Sequence, residues 1–361
     1  MDNYTFSDRS KKITYALMGL GLIGVIIGLL LGGGEHEGHG MMQRFWANVM
    51  VNSFFFLGIA AAATFFMALQ YATESHYAVT VKRVYEAISG YLPVGAVFLV
   101  AVLLVGSFGG HHLYHWMQSG ITDPASEHYD EIIAGKSGYL NLTFFWARTI
   151  AYLAIWIGFQ RLFRKRSLQE DIEGGENLHW KNVKSAAIFL ILYGVSSSTS
   201  AWDWLMSIDT HWYSTMFGWY IFAGTWCTSM VMLVLFILYL KSKGHLQQVN
   251  EYHLHDISKW VFATSFLWSY LWFCQFMLIW YSNIPEEVTY FVTRWEHYKP
   301  IMWTMFAINF AFPMIFLMSR DAKRNPKFIA VIGCIILFSH WVDMYQVVMP
   351  GSVGGAWHLF S

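Results

Sequence analysis

Long apolar runs separated by short polar stretches dominate the chain. A helix needs roughly 20 residues to cross about 30 Å of hydrocarbon. Nine runs reach that length, at approximately 12–33, 44–72, 91–117, 138–162, 184–207, 214–241, 257–282, 299–319 and 327–350. A spanning segment must satisfy its own backbone hydrogen bonds, so each run is expected to be an α-helix. The pattern predicts an all-α integral membrane protein with nine transmembrane helices, and a tenth could begin at the terminal "GGAWHLFS".

Composition agrees with this prediction and excludes one class of partner. Hydrophobic residues make up 56% of the 361 positions and charged residues 13%, about half the charged share of an ordinary soluble domain. The formal net charge is zero, whereas a basic stripe is the usual footprint of nucleic-acid binding. We therefore expect membrane lipids, and no nucleic acid, around this chain.

The three cysteines, Cys227, Cys274 and Cys334, lie singly within apolar runs. None belongs to a C-x-x-C or C-x-x-C-H motif, so covalently bound haem, zinc and protein-held iron–sulfur clusters are not expected. A b-type haem would need axial ligands such as two histidines from facing helices, and only His340 lies deep within a run. The sequence thus predicts no metal site of its own.

Basic residues concentrate on one side of the predicted helices. If the N-terminus is cytoplasmic, 18 of the 23 lysines and arginines fall in inside segments and four outside, with Arg148 left within a helix. Cytoplasmic loops carry an excess of Lys and Arg, so a cytoplasmic N-terminus is expected. The longest inside loop, "FRKRSLQEDIEGGENLHWKN", is predicted to be a surface connection.

The run "IILFSHWVDMYQVVMP" carries His340 and Asp343 three positions apart, on one face of the ninth predicted helix. Counted from Lys327 at 1.5 Å per residue, His340 lies roughly 20 Å and Asp343 roughly 24 Å along the helix. A lone charge at that depth is costly, so the pair should face protein or water. The placement fits both a functional pair and simple interhelical hydrogen bonding.

Other predicted helices carry polar groups in the same outer layer. Arg148 lies in the fourth, about 15 Å from the outer surface by the helical rise. It needs an acceptor, for which Asp203 or Asp343 would serve. Gln275 lies in the seventh predicted helix, in "FCQFMLIWYSNIPEE". Such groups could conduct protons or close a quinone pocket, but they could also hold helices together.

The third predicted helix ends in "GGHHLYHW", where His111 and His115 are four positions apart and would share one helical face. Histidine and aromatic side chains also form belts at the membrane surface, so this cluster has a structural interpretation as well. The candidates for a proton path or quinol site are therefore Arg148, Asp203, Gln275, His340, Asp343, His111 and His115.

Five segments, in the same order, resemble one known family. They are "RFWANVMVNSFFFLGIAAAATFFMALQYATESHYAVTVKRVYEAISGYLP", "YLNLTFFWARTIAY", "WDWLMSIDTHWYSTMFGWY", "FCQFMLIWYSNIPEE" and "HWVDMYQVVMP". Together they are similar to the polysulfide-reductase-like membrane subunits of bacterial alternative complex III, a quinol:cytochrome c or quinol:electron-acceptor oxidoreductase. "WDWLMSID" and "HWVDMYQVVMP" resemble the second of its two such subunits. The similarity runs from about residue 40 to 350.

The resemblance implies ten membrane spans, eight of them in two four-helix bundles. On this chain, residues 44–207 would form the first bundle and residues 208–350 the second. Residues 1–43 would be an N-terminal tail with a peripheral transmembrane helix, and residues 351–361 a periplasmic end where a further helix could begin. The implied location is the bacterial cytoplasmic membrane, which the chain would cross several times.

The resemblance also implies partners and a role. The partners would be a paralogous membrane subunit, multihaem and monohaem cytochrome c subunits, an iron–sulfur subunit and, in some complexes, a terminal oxidase. Haems and iron–sulfur clusters would lie only in these partners, and a quinone, menaquinone or ubiquinone, is the implied non-covalent ligand.

Carried over from the family, Arg148, Asp203, His340 and Asp343 are candidates for a proton path in a subunit that has no redox centre of its own. Two other functions stay open, a secondary transporter and a purely structural scaffold of the complex. A secondary transporter would be expected to show broken helices at matching positions of its two halves.

Overall fold

The computed structural model describes residues 5–31 and 38–355. It is 82% helical and contains no β-strand in those ranges. Nine of the described helical segments are long and apolar enough to cross a membrane. The prediction of an all-α membrane protein is therefore confirmed. The terminal "AWHLFS" lies outside the described residues, and so does the start of a tenth helix predicted there.

The helices follow one another with short connections. Their bounds are α1 (Asp8–Leu31), α2 (Gly38–Ala72), α3 (Lys82–Ser89), α4 (Leu92–Ser107), α5 (Glu131–Gly135), α6 (Leu142–Glu173), α7 (Asn177–Trp204), α8 (Met216–Ser242), α9 (Glu251–Ser282), α10 (Pro285–His297), α11 (Lys299–Phe306), α12 (Phe312–Phe316), α13 (Arg320–Arg324) and α14 (Pro326–Val353). A π-helical turn, Ala307–Ala311, joins α11 to α12. Short 3₁₀ turns lie at His76–Val81, His115–Met117 and Met206–Ile208.

Helix α2 is the central element of the fold. It packs against α4, α6 and α7 and also against α8 and α14, and 78% of its most apolar window is buried, against none of that of α1. Helix α8 packs against α9 and α14 in turn, and α14 contacts α11. Helix α2 thus contacts helices on both sides of residue 208. The division into two four-helix bundles at that boundary stays a prediction.

The third predicted helix, 91–117, is too long. Helix α4 ends at Ser107 because Gly109 adopts a left-handed conformation with φ +77°. The Gly110 N–H then donates to Val105 O at 2.8 Å and the Gly109 N–H to Gly106 O at 3.0 Å. This is the hydrogen-bond pattern of a Schellman motif, which satisfies the last carbonyl groups of a helix. The segment that follows is loop and 3₁₀ turn, although its aromatic composition extends the apolar run.

The connection predicted between the fourth and fifth spans lies at the surface, but it is mostly helical rather than a loop. Helix α6 continues to Glu173 and α7 begins at Asn177, so only three residues separate two helices that project beyond their apolar parts. Charged residues with high helix propensity carry this extension, and a 2.8 Å ion pair joins Glu170 to Lys82. Hydropathy marks only the part of a helix that lies in hydrocarbon, which is why the sequence pattern missed it.

Candidate functional site

Arg148 and Asp203 form a bidentate ion pair between α6 and α7. The guanidinium donates from Nε to Asp203 Oδ2 at 2.7 Å and from Nη2 to Oδ1 at 2.8 Å. The Tyr152 hydroxyl, one turn inward on α6, donates to Oδ2 at 2.9 Å. The Asp203 side chain is fully buried, while 11% of the Arg148 side chain is exposed. Of the two predicted acceptors for Arg148, the structure pairs it with Asp203.

Tyr139 and Phe144 also hold the Arg148 guanidinium in place. It donates from Nη1 to Tyr139 O at 3.2 Å, and its central carbon lies 3.9 Å from the centroid of the Tyr139 ring and 4.1 Å from that of Phe144. Arg148 is six residues into α6, or about 9 Å along it, so it lies closer to the helix end than the predicted 15 Å. Both oxygens of Asp203 accept hydrogen bonds, and the Arg148–Asp203 ion pair joins α6 to α7.

Asp343 lies at the junction of three helices. The Tyr220 hydroxyl of α8 donates a short hydrogen bond to Asp343 Oδ1, and the Trp268 indole of α9 donates to Oδ2 at 3.0 Å. The Asp343 residue is 5% exposed. In the described parts of the chain, no lysine or arginine nitrogen comes within ion-pair distance of this carboxylate. Asp343 is therefore held by neutral donors only.

His340 is the side chain beside Asp343 on α14. Its Nδ1 lies 3.9 Å from Asp343 Oδ2, its ring meets Trp268 edge to face at 5.3 Å between centroids, and the Cys227 thiol is a further polar neighbour. The ring is 2% exposed, and neither nitrogen has hydrogen-bond geometry with a described partner. The prediction that His340 and Asp343 share a helical face is consistent with this geometry, but they do not bond each other directly.

A small cavity adjoins Asp343 on the side that faces α10. Its volume is about 10 Å³, which has room for about one water molecule. The residues around it come from α8, α9, α10, α11 and α14, and they include Tyr220, Trp272, Tyr290, Arg294, Asp343 and Gln346. A quinone ring does not fit this space.

Arg294 is a charged residue of the site that was not among the sequence candidates; it is one of the four basic residues that the sequence pattern assigns to outside segments. It lies on α10, is 4% exposed, and lines the cavity together with Asp343. Its guanidinium donates to the carbonyl oxygens of Tyr290 at 2.8 Å, Gln346 at 2.9 Å and Val347 at 3.4 Å. No described carboxylate lies within 4.0 Å of it. The i, i+4 spacing of Tyr290 and Arg294 was the available signal.

The remaining sequence candidates do not join this site. Gln275 is buried on α9, three and seven residues beyond Trp272 and Trp268, and therefore on the same helical face. It lines neither of the two cavities described here.

The two candidate histidines of the "HHLYH" cluster, His111 and His115, also do not join the site. His111 is 5% exposed; its Nε2 is 3.0 Å from Val102 O, and its Nδ1 accepts from the Leu113 N–H at 3.3 Å. Burial lowers the pKa of His111, so it stays neutral and closes the end of α4. His115 is exposed at the start of a 3₁₀ turn. The predicted shared helical face is wrong because α4 ends before both residues.

A second charged group, also missed from the sequence, lies at the opposite end of the first helices. Glu86 of α3 has a fully buried side chain and pairs with Arg83 at 2.5 Å and with Arg164 of α6. Arg83 in turn pairs with Asp171. One carboxylate oxygen, Oε1, has no hydrogen-bond partner among the described atoms. The i, i+3 spacing of Arg83 and Glu86 in "KRVYEAIS" predicts their proximity but not their burial.

Polar residues at intervals of four form a stripe along α6, consisting of Arg148, Tyr152, Trp156, Gln160 and Arg164. Each has a side-chain hydrogen bond or ion pair to a neighbouring element; the Trp156 indole, for example, donates to Ser196 Oγ at 2.8 Å. Phe163, Phe189 and Tyr193 pack beside the inner part of the stripe and are buried. These polar residues therefore serve mainly to bond α6 to the neighbouring helices.

A larger pocket of about 220 Å³ lies where α6 begins and α7 ends. Its walls include four aromatic side chains, Tyr139, Trp202, Trp212 and Tyr213. Lys136 at its edge donates to Thr210 O at 2.6 Å, and burial lowers the pKa of this ammonium group. The described residues contain no group of three or more histidine, cysteine, aspartate or glutamate side chains placed to hold a metal.

No protein-family model and no curated protein matches this chain. Function is therefore inferred from the geometry of the buried polar groups and from the five sequence segments quoted above.

Proposed function

We propose that this chain is the second polysulfide-reductase-like membrane subunit of a quinol:cytochrome c, or quinol:electron-acceptor, oxidoreductase complex, and that its His340–Asp343 site conducts protons. One observation carries the proton role. Asp343 is buried with neutral donors on both oxygens, beside a histidine whose ring nitrogens lack hydrogen-bond geometry with every described partner. A site built only to join helices would be expected to satisfy such groups.

The chemistry of this site suits proton exchange. Imidazole and carboxylate groups change protonation state more readily near neutral pH than other side chains when their surroundings are apolar. The 3.9 Å separation of His340 and Asp343 is too long for direct transfer and is closed by a small ring movement or a bridging water. The adjoining cavity of about 10 Å³, lined by Asp343 but not by His340, has room for one water that could exchange a proton with Asp343.

The proposed setting follows from the resemblance and from the positive-inside bias. The N-terminus would lie in the cytoplasm, and the chain would span the bacterial cytoplasmic membrane. Cytochrome c and iron–sulfur subunits would hold all the redox centres, and the paralogous membrane subunit would be its neighbour. This chain would supply no redox group and would couple proton movement to quinol oxidation elsewhere in the complex.

Quinol binding is the second candidate function, favoured by the pocket of about 220 Å³ where α6 begins and α7 ends. Its aromatic walls suit a quinone ring, and Lys136 could donate a hydrogen bond to a ring oxygen. The pocket shares Tyr139 with the surroundings of Arg148. A photoreactive quinone analogue should label this pocket, and labelling confined to other subunits would remove the candidate.

A secondary transporter is less well supported. The π-helical turn Ala307–Ala311 does interrupt one span, beside Pro313. Transporter folds typically break helices at corresponding positions of both halves. The third span of the first group, α6, runs without interruption from Leu142 to Glu173, so the break has no counterpart there.

Two measurements test the proposal. A mild-detergent pull-down should recover a multihaem cytochrome, an iron–sulfur protein and a second similar membrane subunit, with the optical spectrum of c-type haem. Recovery of the chain alone and colourless would contradict membership of the complex. In the assembled complex, Asp343→Asn should lower the number of protons translocated per quinol, because asparagine keeps the shape of the side chain but cannot take up the proton.

A further inference from the structure

Helix α10 is fastened over the outer end of the Asp343 cavity by a stack of three side chains. The Trp212 ring lies on Tyr290 at 4.1 Å between centroids, and the Arg294 guanidinium carbon lies 3.3 Å from the Tyr290 centroid. The Trp212 indole also donates to Glu287 O at 3.0 Å. These contacts and the hydrogen bonds of Arg294 to α14 place a fixed positive charge between the cavity and the outer loops.

Asp209 lies in the loop after α7 and packs against Gly351 of α14, one turn beyond Val347, whose carbonyl oxygen accepts from Arg294. It is half-buried, and burial raises its pKa while Arg294, His211 and Lys136 act in the opposite direction. Asp343 faces Tyr220, Tyr290 and His340 as its titratable neighbours. Arg294 therefore lies within electrostatic reach of the Asp209 carboxylate and lines the cavity that adjoins Asp343.

We infer that Arg294 closes the outer end of the Asp343 cavity and that Asp209 receives the proton that leaves Asp343 through it. The inference rests on the proposed proton role of Asp343 and adds the direction and the residues of the exit.

The transfer balances without any further reactant. The O–H bond of the protonated Asp343 carboxyl breaks, the proton passes to a water in the cavity and then to water that enters past Arg294, and an O–H bond forms on the Asp209 carboxylate, which lies outside the cavity. Asp343 is then an anion facing Arg294, whose guanidinium stays charged throughout. The same charge repels cations that approach from outside, so Arg294 limits their entry to the cavity.

The closure can be tested by thiol labelling without any assay of quinol chemistry. Gln346 lines the cavity, so Gln346→Cys reports access to it, and peptide mass spectrometry separates its signal from the three native cysteines. With a membrane-impermeant methanethiosulfonate added outside, we expect Arg294→Ala to raise the labelling rate of Gln346→Cys at least tenfold. Glu286→Cys, exposed on α10, should label equally fast in both backgrounds. An unchanged rate at Gln346→Cys, or labelling only from the inner side, would overturn the closure.

A charge-selective comparison separates electrostatics from packing. Sulfonate-bearing reagent should label Gln346→Cys faster than ammonium-bearing reagent when Arg294 is present, and Arg294→Gln should abolish that preference. Arg294→Lys should retain it, although lysine cannot reproduce the three carbonyl contacts. Loss of the preference in Arg294→Lys as well would assign Arg294 a structural role only.

The exit residue is tested in the assembled complex. Asp209→Asn should lower proton release to the outside severalfold while leaving the labelling of Gln346→Cys unchanged. If Asp343→Asn lowers release and Asp209→Asn does not, the exit through Asp209 is wrong and the proposed function stands. If neither variant lowers release, the proposed function fails, and the labelling results alone decide whether Arg294 closes the cavity.

Discussion

Asp203 and Asp343 are both buried aspartates on membrane-spanning helices, but their partners differ in kind. Asp203 accepts two hydrogen bonds from a guanidinium and one from Tyr152. Within the described residues, Asp343 accepts from a phenol and an indole, with His340 Nδ1 at 3.9 Å. The first carboxylate is paired with a permanent cation. The second has no lysine or arginine nitrogen within ion-pair distance among the described residues, and the proposed proton role rests on this difference.

The comparison also explains why depth alone is a poor guide to function. Arg148 is the deepest basic residue in the sequence pattern, and it turns out to be committed to Asp203 on both nitrogens that face it. Arg294 is assigned to a loop by the same pattern, and it is buried beside the less saturated carboxylate. The two regions differ in hydrogen bonding, because Asp203 accepts three hydrogen bonds and Asp343 accepts two.

The largest expected effect is at the saturated pair. Asp203→Asn leaves the Arg148 guanidinium without its counter-ion, and breaking a buried pair from one side costs about 3 kcal/mol or more of folding free energy. Unfolding in mixed micelles, followed by tryptophan fluorescence, measures this loss. The double variant Arg148→Gln with Asp203→Asn should recover at least half of it. A loss below about 1 kcal/mol for Asp203→Asn would contradict a stabilising role for this ion pair.

A matched pair of phenol deletions gives the next effect. Tyr220→Phe removes one of two donors to Asp343 and should cost about 2 kcal/mol, since a buried acceptor loses its partner. Tyr152→Phe removes one of three donors to Asp203, which keeps both guanidinium bonds, and should cost about 0.5–1 kcal/mol. The same unfolding assay compares them. Equal losses would mean that the two carboxylates do not differ in how fully they are paired.

The smallest expected effect concerns Asp130, whose carboxylate caps the start of α5 in a loop outside the membrane-spanning helices. Its pKa is lowered first by the Ile133 N–H and further by His211, so the stability it provides to α5 is present above its ordinary pKa of about 4 and is lost as pH falls through the lower folded value. Protection of the Ile132 and Ile133 amides, corrected for intrinsic exchange, should be constant from about pH 7 to 5 and decline toward about pH 3. Asp130→Ala should remove this decline, and a decline that persists in the variant would contradict the assignment.

The sequence predicted the helices well because each apolar run reflects one physical constraint, the thickness of the hydrocarbon layer. It predicted their ends poorly where other effects decide, as at Gly109, whose left-handed conformation stops α4, and at Glu173, where charged residues continue α6 into water. Residues that share a helical face can be identified from their spacing, so the sequence predicted His340 and Asp343 together. Their partners were not found, since nothing distinguishes Tyr220 or Trp268 among 20 tyrosines and 18 tryptophans until the helices are packed.

The central claim is that Asp343 carries protons, and the most direct measurement is the number of protons released per quinol oxidised by the purified complex in sealed vesicles. Asp343→Asn should assemble with all partner subunits and lower this number by at least half. Gln275→Leu, which removes an equally buried polar side chain that does not line the cavity, should leave it unchanged. A fully assembled Asp343→Asn complex with the wild-type number of protons per quinol would contradict the claim.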